Sequence, residues 1–374
     1  MSSGRAITAL VFAALAGCED LPGSAVHEPY GGVQLVFRTP HNLSISNTRI
    51  VSDGARLFLG GAESGIVAFD RATGAQLWWV GHLGQPSTDG TRVYAGSADS
   101  ARAYDPATGS VLWARAVAGG AAEHRGDVRD GVYYIGTDSL VYALNADSGT
   151  VRWVTSVADG WEFTGRVRAL TAADDAIYLC VLRPLNWNGA IRHGHVLRLN
   201  RVTGAVEWRY VMAFETEYNF CIGEPVVLDT QVILSDVGGN ATVAVERSSG
   251  RFLWRRQGEF GWLGPWNAVS VRGDTLFGAS YQGTVFAIDR RSGALIWEHQ
   301  PAAAGRDAQP CGRILLFNNF DLLVLDRATG RQLGERFEFP PNVADEFLTS
   351  AFYVSGRDAW VAGNTHVYQF RCPT

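Results

Sequence analysis

One short motif recurs seven times along the chain, and this repetition constrains the fold more than any other feature. Each copy has an acid or amide four residues before a glycine, and six copies have a tryptophan four residues after it. The glycines recur about every 43 residues, a period typical of four-stranded propeller blades and of some helical repeats. Short alternating runs of β-branched and aromatic residues precede the copies and favour strands over helices. The motif residues are Asp70, Gly74 and Trp78; Asp105, Gly109 and Trp113; Asn145, Gly149 and Trp153; Asn200, Gly204 and Trp208; Glu246, Gly250 and Trp254; Asp289, Gly293 and Trp297; and Asp326 and Gly330.

The motif is explained mechanically as a tight turn between the last two strands of a blade. Asp and Asn side chains accept hydrogen bonds from turn N–H groups, and glycine adopts a backbone conformation that is costly for other residues. A tryptophan on the outer strand can cover the seam between neighbouring blades, with its indole N–H donating to an adjacent backbone group. The seventh copy has Gly334 at the tryptophan position. We therefore expect that last seam to be weaker or covered differently.

The two ends of the repeat region supply the remaining strands. Residues 351–370 (AFYVSGRDAWVAGNTHVYQF) contain three strands without a turn motif, and residues 33–38 (VQLVFR) resemble an isolated outer strand. Pairing these two segments completes an eighth blade and closes the ring, which removes exposed sheet edges. The sequence therefore predicts an all-β, eight-bladed propeller of four-stranded antiparallel blades over residues 30–374. A seven-bladed ring with a terminal appendage is the alternative.

The first residues have the pattern of a bacterial lipoprotein signal peptide, which we predict over residues 1–17. A short apolar run, too brief to span a bilayer, is followed by LAGC at 15–18, which resembles a lipobox. Cys18 would carry the lipid on the periplasmic side of the membrane, and residues 18–29 would form a tether. The alternative is an ordinary signal peptide with a chance cysteine. Glu19 stands where aspartate usually signals inner-membrane retention, so the outer membrane is favoured.

Charge and residue usage exclude two classes of function. The net charge is −5 at pH 7, so we expect no nucleic-acid partner. The chain contains no lysine, which rules out Schiff-base chemistry and the lysine-dependent phosphate-binding loop.

The repeat A-x-D-x-x-T-G-x-x-x-W resembles the quinoprotein, or PQQ-type, propeller repeat over nearly the whole mature chain. Together with the lipobox, the length and the blade count, it makes the chain resemble the BamB family of outer-membrane assembly lipoproteins. That resemblance implies a non-catalytic scaffold for envelope proteins, among them the barrel-assembly machinery. It also implies no cofactor, and membrane contact through the lipid anchor alone. We expect a monomeric propeller.

The main alternative is a periplasmic protein that binds PQQ or another small ligand, or a redox enzyme. A sugar- or polymer-binding module is a third option. PQQ-dependent dehydrogenases are longer and typically carry a vicinal Cys-Cys disulfide, a Ca²⁺ site of Glu, Asn and Asp, and a catalytic Asp. This chain has no adjacent cysteine pair, and its acidic turn residues recur as structural turns do. The sequence therefore predicts no catalytic residue.

One pair of histidines is the most metal-like local feature. His193 and His195 would share one face of a strand, so both imidazoles could meet one ion. No third ligand is evident near them in the sequence. We therefore expect a polar loop-to-strand junction and no metal site.

Four cysteines follow Cys18, as suits an oxidising compartment, and they allow three pairings. Cys180 falls late in a second strand, and Cys221 precedes the first strand of the next blade. In a propeller those two positions lie on the same face of adjacent blades, so we expect a Cys180–Cys221 disulfide. Cys311 and Cys372 would then either pair or stay free.

The spacing of the motifs is uneven, and the longest interval contains an insertion in the fourth blade, residues 183–192 (RPLNWNGAIR). Neighbouring loops of blades four to six are rich in aromatic and acidic residues, and such loops lie on one face of a propeller. Aromatic residues with a polar rim typify binding hot spots, so we expect a partner-binding surface there. The rings could instead cap the central channel or fill blade seams. The candidate residues are Trp161, Phe163, Trp187, Phe214, Tyr218, Phe220, Trp262 and Trp266.

Overall fold

Eight antiparallel sheets arranged around a central channel make up the computed structural model, which confirms the predicted all-β propeller. No helix within the described ranges is long and apolar enough to cross a bilayer. The structure describes residues 29–41, 49–61, 65–82, 84–97, 99–120, 126–157, 166–182, 192–212, 218–219, 221, 223–236, 239–258, 269–280, 282–301, 305–337, 339 and 346–374.

The first six blades each order four strands in chain sequence, so each strand pairs with the next in an antiparallel hairpin. Blades one to three consist of β2 (Val51–Ser52), β3 (Arg56–Gly61), β4 (Gly65–Asp70) and β5 (Gln76–Val80); β6 (Ser87–Thr88), β7 (Val93–Gly96), β8 (Ser100–Tyr104) and β9 (Val111–Ala116); and β10 (Asp127–Arg129), β11 (Val132–Gly136), β12 (Leu140–Asn145) and β13 (Val151–Ser156).

Blade four has a fifth, short strand, which pairs in parallel with the third strand of that blade. Blades four to six consist of β14 (Arg166–Ala172), β15 (Ala176–Leu182), β16 (Arg192–Asn200), β17 (Val206–Val211) and β18 (Tyr218–Asn219); β19 (Val226–Val227), β20 (Gln231–Asp236), β21 (Ala241–Glu246) and β22 (Phe252–Gln257); and β23 (Ser270–Arg272), β24 (Thr275–Ala279), β25 (Val285–Asp289) and β26 (Leu295–His299).

Both ends of the repeat region build the eighth blade. The order of its strands is β1-β32-β31-β30, and β1 pairs antiparallel with β32 from Gln34 opposite Arg371 to Pro40 opposite His366. The predicted closure of the ring by terminal strands is therefore confirmed. The strands are β1 (Gln34–Pro40), β30 (Tyr353–Ser355), β31 (Asp358–Ala362) and β32 (His366–Arg371).

Blade seven is irregular at its outer edge. Its sheet has three strands, β27 (Asp307–Cys311), β28 (Ile314–Asn318) and β29 (Leu322–Asp326). Isolated bridges from Gln332 and Phe337 cover part of the β29 edge. A 3-10 turn at Pro29–Gly32 packs against the same place, where the motif has Gly334 instead of tryptophan. This last seam is thus covered by the 3-10 turn and by the bridging residues Gln332 and Phe337 rather than by an indole ring.

At the other seams, each motif tryptophan packs its ring on the motif glycine of the next blade. A Cβ atom at Gly250 would lie 2.6 Å from Cε3 of Trp208, so the residue there has to be glycine. The indole N–H of Trp208 also donates to the carbonyl of Arg247 at 3.0 Å. Trp78, Trp113, Trp153 and Trp297 make the same kind of bond to the next blade. The ring of Trp254 packs on Gly293.

The acid of the motif fastens its own turn. Oδ1 of Asp70 accepts the N–H groups of Ala72 and Thr73 and the Thr73 hydroxyl, and these bonds, led by the hydroxyl, lower the pKa of Asp70. Asp105, Asn200, Asp289 and Asp326 repeat the bonds to the turn N–H groups. Two copies differ. Glu246 accepts from the Ser249 hydroxyl, and Asn145 accepts from Nε of Arg152 at 2.5 Å.

Candidate functional site

Of the eight candidate residues of the predicted binding surface, the structure describes one, Tyr218. The backbone of Tyr218 is described as part of β18. The other seven candidates, Trp161, Phe163, Trp187, Phe214, Phe220, Trp262 and Trp266, lie outside the described residues, and so does Cys18.

Two of the aromatic segments start from adjacent backbone. Residues 218 and 219 of β18 pair in parallel with residues 192 and 193 of β16, at the point where the insertion in blade four ends. The N–H of Met212 donates to the carbonyl of Gly194 at 2.9 Å. The insertion and the segment after β17 are therefore joined by backbone hydrogen bonds at their bases. No sequence pattern indicates β18, because two residues are too few to show a period.

A disulfide fastens the same region to the next blade. Cys180 in β15 of blade four is joined to Cys221, which lies before β19 of blade five, with the two Cα atoms 5.7 Å apart. Described residues on both sides of 213–217 are therefore connected to blade four, Met212 by its hydrogen bond and residues 218–219 by β18, and Cys221 is connected by the disulfide. Restraint of this kind reduces the conformational entropy that a loop loses when it binds a partner.

An ion pair crosses the central channel on the same face of the ring. Arg49 precedes β2 of blade one, and Glu224 precedes β19 of blade five, two residues before the strand in each case. Blades one and five stand opposite each other in an eight-bladed ring. Nη1 of Arg49 nevertheless lies 2.7 Å from Oε2 of Glu224, so the two side chains span the channel. Glu224 lies three residues after Cys221, so the disulfide and the Arg49–Glu224 ion pair are made by the same short segment.

The channel also contains a cavity of about 430 Å³, lined by the inner strands of blades one, two, three, seven and eight. Its ionic and amide groups are Arg49, Asp127 and Gln309. Two of its hydroxyls, on Ser52 and Thr88, donate to backbone carbonyls of their own hairpins. Among the described lining residues, Arg49 is the one cation, and it is paired with Glu224.

These residues do not fit the quinone cofactor after which the repeat is named. PQQ is a tricarboxylate, so a site for it needs several cations or N–H donors. The part of the lining that the structure describes offers Arg49, already paired, and the carboxylate of Asp127. Within the described ranges, no group of three or more His, Cys, Asp or Glu side chains is placed to hold a metal ion. His195 is buried in β16, and the side chain of His193 lies outside the described residues.

Two acids on inner strands connect neighbouring blades. Asp307, buried at the start of β27, accepts the N–H of Phe352 in blade eight at 2.8 Å, and its burial raises its pKa. Asp127 in blade three accepts the N–H of Ala172 in blade four at 2.8 Å. Both carboxyls therefore act as inter-blade hydrogen-bond acceptors, a structural role that sequence inspection had not singled out.

Comparison with known families decides the membership of this chain. The family model described as outer membrane protein assembly factor BamB matches residues 34–183, 138–314 and 192–351, which together cover most of the propeller. The chain belongs to the BamB family. A curated relative, outer membrane protein assembly factor BamB of Yersinia pestis, is 24% identical over 274 residues, 67% of this chain. The match spans 65% of that relative's length.

Solved structures establish the fold of this BamB-family chain. The crystal structure of BamB from Moraxella catarrhalis matches with a TM-score of 0.68 and 14% identity, over 91% of this chain and 97% of the other. A quinohemoprotein alcohol dehydrogenase from Comamonas testosteroni matches with a TM-score of 0.71 and 13% identity, over 92% of this chain and 78% of the other. One propeller architecture thus serves both a BamB protein and an oxidoreductase, so function has to be argued from the site.

Proposed function

We propose that this chain is a non-catalytic scaffold of the cell envelope, with a BamB-like role in assembling outer-membrane proteins. Residues 1–17 are its signal peptide, Cys18 carries the lipid, residues 18–29 are a tether, and residues 30–374 form the propeller. The lipid places the protein on the periplasmic face of the outer membrane. It acts as a monomer, without cofactor or metal, by docking proteins of the barrel-assembly machinery.

This proposal rests on the BamB family match, together with the β16–β18 pairing and the Cys180–Cys221 disulfide beside the aromatic segments. The family match runs over residues 34–351, which include every candidate residue of the partner-binding surface. On that face, β18 and the Cys180–Cys221 disulfide restrain described residues that stand next in the chain to the segments with Trp187, Phe214 and Phe220. Aromatic residues on a restrained base are the arrangement that makes a binding hot spot.

The chemistry of the channel supports a scaffold rather than an enzyme. The Arg49–Glu224 ion pair crosses the channel and occupies the one cation among the described residues that line the cavity. The acids beside the channel accept backbone N–H groups of neighbouring blades. These groups hold the ring together, and a rigid ring is what a docking platform requires.

Photo-crosslinking in cells tests the docking face. A photoreactive amino acid is placed at Trp187 or Phe214, and at Val202 as the matched control. Val202 belongs to the same blade and is 80% exposed, but it lies at the opposite end of β16. We expect crosslinks to a component of the barrel-assembly machinery from the first two positions and none from Val202. Equal crosslinking from all three positions, or none from any, would contradict the proposal.

A second experiment tests the absence of catalysis. The mature chain is incubated with PQQ and Ca²⁺, and its unfolding midpoint and its reduction of an electron-accepting dye with alcohols and sugars are measured. We expect no shift of the midpoint and no dye reduction. A rise in the midpoint with turnover would establish the alternative function, that of a quinoprotein redox enzyme.

A further inference from the structure

A polar cavity between blades seven and eight is lined by three arginines. It measures about 220 Å³ and lies on the side of the ring where the β27–β28 and β30–β31 hairpins turn. Arg313 comes from the first of these turns, Arg357 from the second, and Arg371 from the end of β32. A water molecule takes about 30 Å³ in the liquid, so the cavity has room for a small anion together with some water.

Two of these arginines are already held in position. Nε and Nη2 of Arg357 donate to the carbonyl of Cys372 at 3.0 and 2.8 Å. Nε of Arg371 donates to Oδ1 of Asp358 at 2.9 Å. A guanidinium carries more N–H groups than these bonds use, so both side chains keep donors for a ligand. Because the guanidiniums are oriented in advance, an anion does not have to immobilise them.

The positive charge of the cavity is not fully neutralised by the part of the chain that the structure describes. Arg313 is exposed, and its guanidinium makes no ion pair or hydrogen bond to a described residue. Arg357 is bonded to a carbonyl, which carries no net charge, and Arg371 is paired with Asp358. Thr374 is also in the lining, and a carboxylate at this residue would compete with a ligand.

Arginines that line other cavities of the ring are paired with acids. In the channel, Arg49 pairs with Glu224. In a cavity beside blades five and six, Arg290 and Arg291 both pair with Asp274. The cavity between blades seven and eight differs, because two of its guanidiniums have no carboxylate partner among the described residues. Such an excess of cationic donors around a small cavity attracts anions.

We infer that this cavity binds a phosphate group. Guanidinium groups match phosphate oxygens in geometry, and a tetrahedral phosphate can offer oxygens to several arginines at once. Gln34 of β1 adds an amide to the lining. Bound phosphate would connect Arg313 of blade seven with Arg357 of blade eight, at the seam where the motif tryptophan is missing. This inference goes beyond the proposed function and does not depend on it.

The place of the cavity allows two sources for the phosphate. Gly32 lines the cavity, three residues after the described chain starts at Pro29. The predicted tether, residues 18–29, therefore ends beside the cavity, and acylation of Cys18 would bring lipid headgroups within its reach. A soluble phosphate ester is the other source. Both present the same phosphate oxygens to the arginines.

Isothermal titration calorimetry with inorganic phosphate at low ionic strength tests the site. The mature chain is produced with Cys18→Ser, so that it is not acylated. We expect the wild-type cavity to bind phosphate and Arg313→Gln to weaken binding by about tenfold or more, because charged hydrogen bonds are lost. Arg331→Gln is the matched control, since Arg331 is an exposed arginine of the same blade outside the lining, and it should leave binding unchanged. Acetate at the same concentration should not compete.

Vesicles of phosphatidylglycerol distinguish the two sources. Vesicle binding that is lost in Arg313→Gln would identify a lipid headgroup, and phosphate binding without vesicle binding would identify a soluble ester. Urea unfolding of Arg313→Gln checks that the variant is folded.

Two results would overturn the inference. The first is a wild type that does not bind phosphate, or equal losses in Arg313→Gln and Arg331→Gln. The second is phosphate binding that appears only after Thr374 is deleted, which would assign the arginines to the end of the chain. Neither result changes the photo-crosslinks expected from Trp187 and Phe214, so the scaffold function is tested separately.

Discussion

The seam between blades four and five offers a sharp test of what holds the ring together. Gly250 has φ of +70°, and Gly131, in a hairpin turn of blade three, has φ of +72°. An alanine at either position has to adopt the left-handed conformation, which costs about 1–2 kcal/mol. A Cβ at Gly131 would meet nothing within 4 Å, whereas at Gly250 it would lie 2.6 Å from Cε3 and 2.7 Å from Cδ2 of Trp208. Comparing the alanine variants at Gly131 and Gly250 therefore separates the cost of backbone strain from the cost of contact with the Trp208 indole.

We expect Gly131→Ala to lower the free energy of unfolding by about 1–2 kcal/mol through strain alone. Gly250→Ala should lose a further 1–3 kcal/mol or so, because the methyl group displaces an indole ring in a packed seam. Equilibrium urea unfolding of the disulfide-intact mature chain measures both losses. In a Trp208→Leu background the ring is gone, so Gly250→Ala should cost about as little as Gly131→Ala. Equal losses for the two glycines in the wild-type background would refute the reasoning that tryptophan rings pack the seams.

Three further predictions concern the Arg49–Glu224 ion pair, the Cys311–Cys372 disulfide and the buried His82. Replacing Arg49 or Glu224 by alanine should cost about 1 kcal/mol in urea unfolding, since the pair is partly exposed, and the double variant should cost no more than the larger single loss. Replacing Cys311 and Cys372 together by serine should cost about 4 kcal/mol, because the disulfide closes a loop of 61 residues in the unfolded chain; a much smaller loss would show that this seam does not depend on it. Burial lowers the pKa of His82 to about 4, so the unfolded chain binds more protons than the folded chain between pH 6.5 and 4. Stability should therefore fall as the pH falls through that window, and His82→Asn should flatten the slope measured by urea unfolding at pH 7 and pH 5.

The fold could be predicted largely because its signals are local. The motif turn is complete within eight or nine residues, and Asp70 or Asp105 determines its hydrogen bonds without help from the rest of the chain. The tryptophan seams follow from the same motif repeated at a regular interval. Closure by the terminal strands was predictable because residues 351–370 supply three strands of a blade and residues 33–38 resemble the outer strand that this blade lacks.

The connections across the ring could not be predicted in the same way. Arg49 and Glu224 are 175 residues apart, and their contact depends on the diameter of a closed eight-bladed ring. Cys311 and Cys372 form a disulfide across the seam of blades seven and eight, where the motif lacks its tryptophan. The signal that could have suggested this pairing was Gly334, because a seam without a ring needs another fastening. Sequence alone gave no placement for either cysteine.

The most direct test of the scaffold is its affinity for the barrel-assembly machinery when the base of the docking loops is released. Detergent-solubilised assembly complex from cells that lack this chain is titrated with the wild type, with the Cys180→Ser, Cys221→Ser double variant, and with the Cys311→Ser, Cys372→Ser double variant as control. Both disulfides join adjacent blades, but of the two only Cys180–Cys221 lies next in the chain to the candidate docking segments of blades four and five. We predict nanomolar to micromolar binding of the wild type, at least tenfold weaker binding of the first variant, and unchanged binding of the control. A wild type that does not bind, or two variants that bind as tightly as the wild type, would contradict the account.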